Sequence, residues 1–512
     1  MTLNWTGNPY IDIGLATILA YREIDEPGLL TSDDLTAIAQ WIAYNYVRDP
    51  LKSFLTVAFT SNAWFAQPSF TPEKRAERGQ LHVFGWRNPS LVTDMTEQCV
   101  FTGLPVASTA LSDKLSAGRA ARAQIPLTQG DEDINFYPNG NAGLPISGEA
   151  LLCLQAFPLG CAKVQGRLLA VHASDPAITL AFARRFLRDN QVGVQIAQAA
   201  GSTKLRETPF TLGTALISTL LEVLGIGNDT QDELALPLSL TAYHLTNGQK
   251  PEIDIHHLPL GVTRFLQRAN GARYGSAWNA VVQAAWQRDD PKPSKGKAKK
   301  AEITEAATTK ADKPRRNYLY EDVLALPDNA AYFLRTYLLR KVIRSVRVSD
   351  QDPRQGYSSK ADLKLISWDL TTLFLLEVMN MDKIRIEHIR QLGDRLAAYV
   401  QAENDRRFFR AFYGEMSYDI FRNRLIKADT DWVRHGQPPL ITFEQFVEVF
   451  VENDDFARKD WKLARDLVLI RMIEQLHGNG WLAQHQDALP EEAPAEETAD
   501  TLIETAAECL LF

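Results

Sequence analysis

The sequence predicts an α+β N-terminal domain with long loops, followed by an all-α C-terminal helical bundle. Three observations predict it. A chain of 512 residues is too long for one ordinary core, so two or three domains are expected. Residues 291–316, PKPSKGKAKKAEITEAATTKADKPRR, contain no aromatic side chain and few large aliphatics. They cannot bury enough surface to offset the entropy of ordering, and they read as a flexible basic linker. On either side of this segment the periodicity of the apolar residues differs. The expected domains are therefore residues 1–290, the linker 291–316, a bundle over 317–488 and an acidic tail over 489–512.

Before the linker the pattern is mixed. FLTVAFT (54–60), LHVFGW (81–86) and RLLAVHA (167–173) are short apolar runs bounded by turn residues, and read as strands. Ser32 to Val47, Ile178 to Asn190 and Thr211 to Leu224 read as helices. NFYPNGNAGLPISG (135–148), rich in Pro and Gly, reads as a long loop. After the linker apolar residues recur at three and four in Asn329 to Val346, Asp362 to Glu377, Asp382 to Phe412, Glu415 to Lys427, Thr442 to Val451 and Asp460 to Leu476. Within the third, Ile386, Ile389, Gly393, Leu396 and Val400 form one stripe. Amphipathic helices joined by short connections predict a bundle.

The formal net charge is −8, but it is unevenly spread. Leu489 to Phe512 carry seven acids and no base, whereas the linker carries nine bases against three acids. A body near neutrality can hold local basic grooves, so the acidic balance does not exclude a nucleic-acid partner. By composition the tail PEEAPAEETAD (490–500) is expected to be disordered, and Thr501 to Phe512 could add a short helix. No apolar run of membrane-spanning length occurs, and the N-terminus lacks a secretory pattern. Cys99, Cys153, Cys161 and Cys509 form no disulfide framework, which suits a reducing cytoplasm.

Catalytic signatures are absent from the sequence. There is no phosphate-cradling Gly-rich motif, nucleophile elbow or H-E-x-x-H. His256 and His257 are adjacent, so a strand would point them to opposite sides. His172 ends an apolar run and reads as a satisfied, partly buried side chain. Asp131, Glu132 and Asp133 read as a solvated turn rather than a Mg²⁺ site. Cys99 in QCVFTG and Cys161 in PLGCAKVQG each look like half of a C-x-x-C zinc knuckle. Thr102 and Val164 occupy the second positions, and two thiolates alone do not close a structural zinc site. No cofactor and no bound metal are expected.

These motifs, in order, resemble the large subunits of type I-B CRISPR Cascade complexes, in particular their CXXC–CXXC branch. TGNPYIDIG (6–14) resembles that branch's N-terminal Asn-Pro-aromatic-x-Asp-x-Gly signature, and SNAWFAQPSF (61–70) a following Asn-containing loop. QCVFTG and PLGCAKVQGRLLAVH stand at the two knuckle positions with NFYPNGNAGLPISG between them. The specific likeness covers residues 6 to about 173, and the missing second cysteines depart from the pattern. The resemblance implies a subunit, not an enzyme, that inspects the PAM on double-stranded DNA, promotes local unwinding and R-loop formation, and holds the displaced strand. Its partners would be CRISPR RNA, target DNA, the backbone, five-prime-end and RNA-processing subunits, and a helicase-nuclease or transposition effector.

Asn and Gln present both donors and acceptors to base edges, so Asn62, Gln67, Asn135, Asn139 and Asn141 are the candidate readers. The alternative for each Asn is turn chemistry. Trp64 and Phe65 are candidates to wedge or stack on a base, with a place in the core as the competing reading. Candidate phosphate anchors are Lys114, Arg119, Arg122, Lys204 and Arg206, and in the helical half Arg406, Arg407, Arg410, Arg422, Arg424 and Lys427. Each could instead sit on a solvated face. Two other functions compete: a protein scaffold without DNA contact, and a zinc-ribbon nucleic-acid enzyme. Met379 and Met381, at the head of a long helix, are candidate internal starts for a separate small subunit.

Overall fold

A computed structural model describes residues 3–89, 98–133, 140–225, 238–288, 314–342, 351–414, 416–452 and 456–489. The chain divides into two compact units. The first is Met1–Asp229, Leu236–Thr263 and Thr308–Arg315; the second is Thr230–Ala235, Arg264–Ala307 and Arg316–Phe512. The stretch that begins at Arg264 thus groups with the helical unit, although the sequence places the domain edge at 290, and Arg315 groups with the first unit. Most of the expected linker lies outside the described residues.

The first unit is built on α1 (Pro9–Arg22), buried without interruption from Ile11 to Leu19. It starts where it does because Asn8 Oδ1 accepts from the amides of Tyr10 (3.1 Å) and Ile11 (3.4 Å), and because Pro9 suits the first helical position. It ends on Glu23, in the left-handed region at φ 57°. Then come α2 (Ser32–Asn45), opened by a capping box between Thr31 and Asp34, the short α3 (Leu51–Leu55) and α4 (Pro72–Phe84), capped by Thr71. A two-residue pair, β1 (Arg119–Ala120) with β2 (Leu144–Pro145), precedes α5 (Gly148–Ala156).

A four-stranded antiparallel sheet follows: β3 (Ala162–Val164), β4 (Arg167–Ala173), β5 (Leu240–Thr246) and β6 (Glu252–Leu258), side by side in that order. Between β4 and β5 the chain makes α6 (Pro176–Ala199) and α7 (Leu212–Gly225). Leu168 pairs with Leu245, and Leu245 with Ile253, so one apolar row crosses three strands. Leu168, Ala170 and Leu245 join the cluster formed by α1, α5 and α6.

Two expected strands are not strands. Residues 54–60 finish α3 and continue as turns, with Phe54, Leu55, Ala58 and Phe59 buried at helical spacing. LHVFGW is the end of α4 and a 3₁₀ turn. Both are short apolar runs, for which periodicity does not separate strand from buried helix. The expected strand at 167–173 is β4, and the three expected helices correspond to α2, α6 and α7.

In the second unit α8 (Leu260–Asn270, from Arg264), α9 (Gly275–Ala284), α10 (Tyr318–Val323) and α11 (Ala330–Phe333) precede α12 (Trp368–Glu377). Phe374 is central to their packing, stacked on Phe333 at 5.2 Å and edge-on to Phe265 at 5.3 Å. The expected helix 382–412 is two helices, α13 (Lys383–Glu403) and α14 (Arg406–Ala411), divided where Asn404 turns left-handed at φ 50°. Next come α15 (Tyr418–Arg434), α16 (Phe443–Phe450), the small pair β7 (Val451–Glu452) and β8 (Phe456–Ala457), α17 (Trp461–Gly478) and α18 (Trp481–Gln484). The stripe Ile386, Ile389, Leu396 and Val400 is buried. Gly393 lets α13 approach α17, since a Cβ there would lie 3.3 Å from the Val468 carbonyl oxygen. The second unit is helical apart from β7 and β8 among the described residues.

Candidate nucleic-acid interface

The first unit gathers several candidate residues from distant parts of the sequence into one cleft of about 380 Å³. Its lining includes Asn62, Trp64, Gln67, Arg78, Lys114 and Arg122. Three segments build it: the turns after α3, the outer side of α4, and the loop around 111–131. Asn62 is exposed and Gln67 half-buried, and neither side-chain amide bonds another described residue. Asn62 does not have left-handed backbone geometry, so a turn does not require an asparagine there. Its amide and that of Gln67 are available to a ligand.

The aromatic pair is placed differently. Trp64 is 3% exposed and Phe65 is fully buried. Trp64 stacks on Tyr46 at 6.4 Å with an interplanar angle of 13°, and its Nε1 donates to Gln155 Oε1 at 3.0 Å. Its other neighbours are Phe65, His82 and Gly79, where a Cβ would come within 2.8 Å of the ring. No face is left open for a base, so stacking or wedging by Trp64 and Phe65 is corrected to a core role.

Two of the expected phosphate anchors are likewise structural. Arg119 is 1% exposed and donates to three successive carbonyls: Asn141 (3.3 Å), Ala142 (2.8 Å) and Gly143 (2.7 Å). It holds the end of the loop that carries Asn141, which is exposed; Asn135 and Asn139 lie outside the described residues. Arg122 donates to Asn247 Oδ1 (3.1 Å), the Asn247 carbonyl (3.2 Å) and the Gly248 carbonyl (2.7 Å). Lys114 is exposed and bonds Glu132 at 2.5 Å; this bond raises the lysine pKa and lowers that of Glu132. Arg78 pairs with Asp113. The cleft is thus near neutral, suited to polar contacts with base edges more than to neutralising phosphate. Lys204 and Arg206 are exposed on the loop after α6.

Asn247, Gln124 and His82 went unnoticed in the sequence. Asn247 is fully buried: its Oδ1 also accepts from the Leu127 amide (3.2 Å), and its Nδ2 donates to the Arg122 carbonyl (3.2 Å). The signal was present, because Asn247-Gly248 is a hairpin dipeptide and lies between β5 and β6. His82 is buried, with Nδ1 2.7 Å from the Arg78 carbonyl and Nε2 3.4 Å from Gln124 Nε2. Burial pulls its pKa down to about 4, helped by the Arg78 charge and opposed by the bond to the Arg78 carbonyl. It is neutral at pH 7.

Of the six basic residues expected in the helical half, Arg406, Arg407 and Arg410 line a cleft of about 750 Å³ together with Arg434, His435 and the acids Glu403, Asp405, Asp431 and Asp487. Arg406 pairs with Asp487 at 2.8 Å, Arg410 donates to the Asp487 carbonyl, and His435 bonds Glu403 at 3.0 Å. Arg407 is exposed and has no ion-pair partner among the described residues. Arg422, Arg424 and Lys427 are exposed on α15 but do not line this cleft. The six do not form one stripe.

The half-knuckles lie in two different local structures. Cys99 opens a tight turn, with the Gly103 amide donating to its carbonyl at 2.9 Å, whereas Cys161 leads into the β3–β4 hairpin through Gln165 and Gly166, both at positive φ. Cys99, Cys153 and Cys161 are all buried, and burial pushes the Cys153 and Cys161 thiols up. Val164 packs into the core and Thr102 Oγ1 lies 3.3 Å from Ser147 Oγ. These residues do not fit a tetrahedral thiolate site. Among the described residues no group of three or more His, Cys, Asp or Glu is placed to hold a metal ion, and no helix is long and apolar enough to cross a membrane. Comparison with family models, with curated proteins and with solved structures gives no match.

Proposed function

We propose that the chain is a nucleic-acid-binding large subunit of a type I-B CRISPR Cascade complex, acting in the cytoplasm, with PAM inspection on double-stranded DNA as its task. The observation that carries the reading is the cleft where Asn62 and Gln67 present unbonded amides beside Lys114. This is the segment whose sequence, SNAWFAQPSF, resembles the family's loop. In such complexes guide pairing reads most of the target and protein reads a short flank on the duplex, for which amides and few charges suffice. CRISPR RNA, the backbone, five-prime-end and RNA-processing subunits, and a helicase-nuclease or transposition effector are the partners this reading implies.

The scaffold reading keeps one specific support. Ile253 and Ile255 are 41% and 61% exposed on β6, the edge of the sheet, and Phe443 is 77% exposed on α16. Such surfaces suit protein contacts.

Selection from a duplex library with randomised flanks tests the proposal. The protein should enrich one flank. Asn62→Ala and Gln67→Ala should each lose that preference, at about 1–3 kcal/mol per base-edge contact, while Lys114→Ala weakens all sequences alike. Unselective binding by the native chain, or no salt-dependent binding at all, would sink the reading.

A further inference from the structure

The four-stranded sheet of the first unit ends on a bare edge. Strand β6 pairs with β5 on one side, and among the described residues no strand pairs with its other side. The apolar rows that cross the sheet run out to this edge. One row is Leu168, Leu245 and Ile253, and the next is Ala170, Tyr243 and Ile255. Leu168, Ala170 and Leu245 are buried and Tyr243 is half-buried, whereas Ile253 and Ile255 are exposed. A further strand would continue both rows.

The opposite face of β6 carries Glu252, Asp254 and His256. Arg167 pairs with Glu252 and with Asp254, the latter at 2.7 Å, and Lys250 lies 3.1 Å from Glu252. These cations offset the acids, which therefore do little to blunt the edge. The strand has no lysine or proline of its own, the residues that commonly protect a free edge. His256 is half-buried and makes no hydrogen bond among the described residues.

The pattern of β6 fits a second copy of itself. Laid antiparallel with both isoleucine rows on one side, two copies are related by a two-fold axis perpendicular to the sheet and passing through one residue. An axis at Ile255 pairs all seven residues of the strand. Ile255 then faces Ile255 of the second copy, and each Asp254 faces His256 of the other copy, carboxylate against imidazole. An axis at Asp254 would set that carboxylate against its own copy, and one at Ile253 would oppose Asp254 and Glu252. We propose that β6 pairs antiparallel with β6 of a second copy about Ile255, joining the two sheets into one. This does not rest on the nucleic-acid reading, since the cleft that holds Asn62 and Gln67 does not use β6.

Two short strands bury little area, so the dimer should be weak, on the order of tens of micromolar. Sedimentation velocity of the full chain should show a coefficient rising from monomer toward dimer between about 1 and 100 μM. Ile255→Lys sets two ammonium groups face to face and should hold the chain monomeric. Because Ile255 is exposed, its urea midpoint in dilute solution should match that of the native chain. The register has its own test in a Cys509→Ser background, where Cys99, Cys153 and Cys161 are buried. An equimolar mixture of Asp254→Cys and His256→Cys chains should become disulfide-linked in diamide. Asp254→Cys chains alone should not, because their thiols lie on a diagonal with backbones about 7–8 Å apart. A constant sedimentation coefficient overturns the proposal and leaves the edge to a strand of another protein. Association that survives Ile255→Lys also overturns it, as does linkage of Asp254→Cys alone or failure of the mixture to link.

Discussion

The carboxylate of Asp12, 3% exposed, accepts from Thr6 N (2.7 Å), Thr6 Oγ1 (2.9 Å) and Gly7 N (2.9 Å), and lies 3.1 Å from His172 Nε2. It ties the N-terminal segment to both α1 and β4. Burial alone would raise its pKa, but the bonds from His172, Thr6 and Gly7 outweigh burial and hold it below the ordinary carboxylate value. A depressed carboxylate contributes stability that is present above its unfolded pKa and lost as pH falls through its folded one. Asp12→Ala leaves buried donors unpaired and should cost about 2–4 kcal/mol in urea unfolding at pH 7; a cost near zero would remove Asp12 from this role. His82 gives a second, separable pH effect. With a folded pKa of about 4 against an ordinary 6.5, it stays neutral where the unfolded chain binds a proton. Stability is full above 6.5 and falls as pH drops from there toward 4. Between pH 7 and pH 5 the native protein should lose about 2 kcal/mol more than His82→Gln, read from urea midpoints. Equal losses would show that His82 is accessible to protons in the folded state. Both residues carry a lesson about motifs. Asn8, Asp12 and Gly14 of TGNPYIDIG each have a folding task, which a chain of any function sharing this start would keep.

Among the elements, the crossing of α1 and α5 is the tightest contact and the easiest to test. A Cβ on Gly14 would lie 2.0 Å from the Cys153 carbonyl oxygen in α5, and α5 is approached as closely by the turn after α4, where a Cβ on Gly148 would lie 2.1 Å from the Trp86 amide nitrogen. Gly14→Ala must push the two helices apart within a fully buried cluster. It should cost about 3 kcal/mol or more by urea unfolding, whereas Gly28→Ala, with nothing near its Cβ, should change little. A mild Gly14→Ala would mean the helices can shift apart freely. Long periodic segments were legible in the sequence: α2, α6, α7, α13 and α17 fall close to their expected places. Short ones were not. Residues 54–60 and 81–86 look alike as apolar runs whether helical or extended, and β6 escapes notice because an edge strand with Glu252, Asp254, His256 and His257 has little apolar alternation. The cleft brings together Asn62, Gln67 and Lys114, which the sequence names as candidates, while loop carbonyls claim Arg119 and Arg122, and no sequence pattern says which arginine a loop's carbonyls will claim. Met379 and Met381 flank Asn380, left-handed at φ 48°, in the turn just before α13. A product starting there would keep the α13–α17 pairing but lack α12, whose Leu370, Leu373 and Phe374 are buried. Expression of the intact gene should show whether such a fragment forms; full-length protein alone would dismiss the internal start.

At the scale of the whole molecule the decisive quantity is where the charge lies. The chain carries −8, of which seven acids belong to the segment after Leu489, leaving a body within one charge of neutral. A strand bound to the second unit would gain counterion release only from cations that no acid already neutralises. Arg407, Arg424 and Lys427 have no ion-pair partner among the described residues, whereas Arg406 is held by Asp487. Arg424→Ala with Lys427→Ala should therefore weaken binding of a labelled single strand and flatten its salt dependence, read by fluorescence anisotropy across a salt series. Binding and salt slope left unchanged would mean that α15 is not the surface, with the cleft lined by Arg406, Arg407 and Arg410 the next place to look.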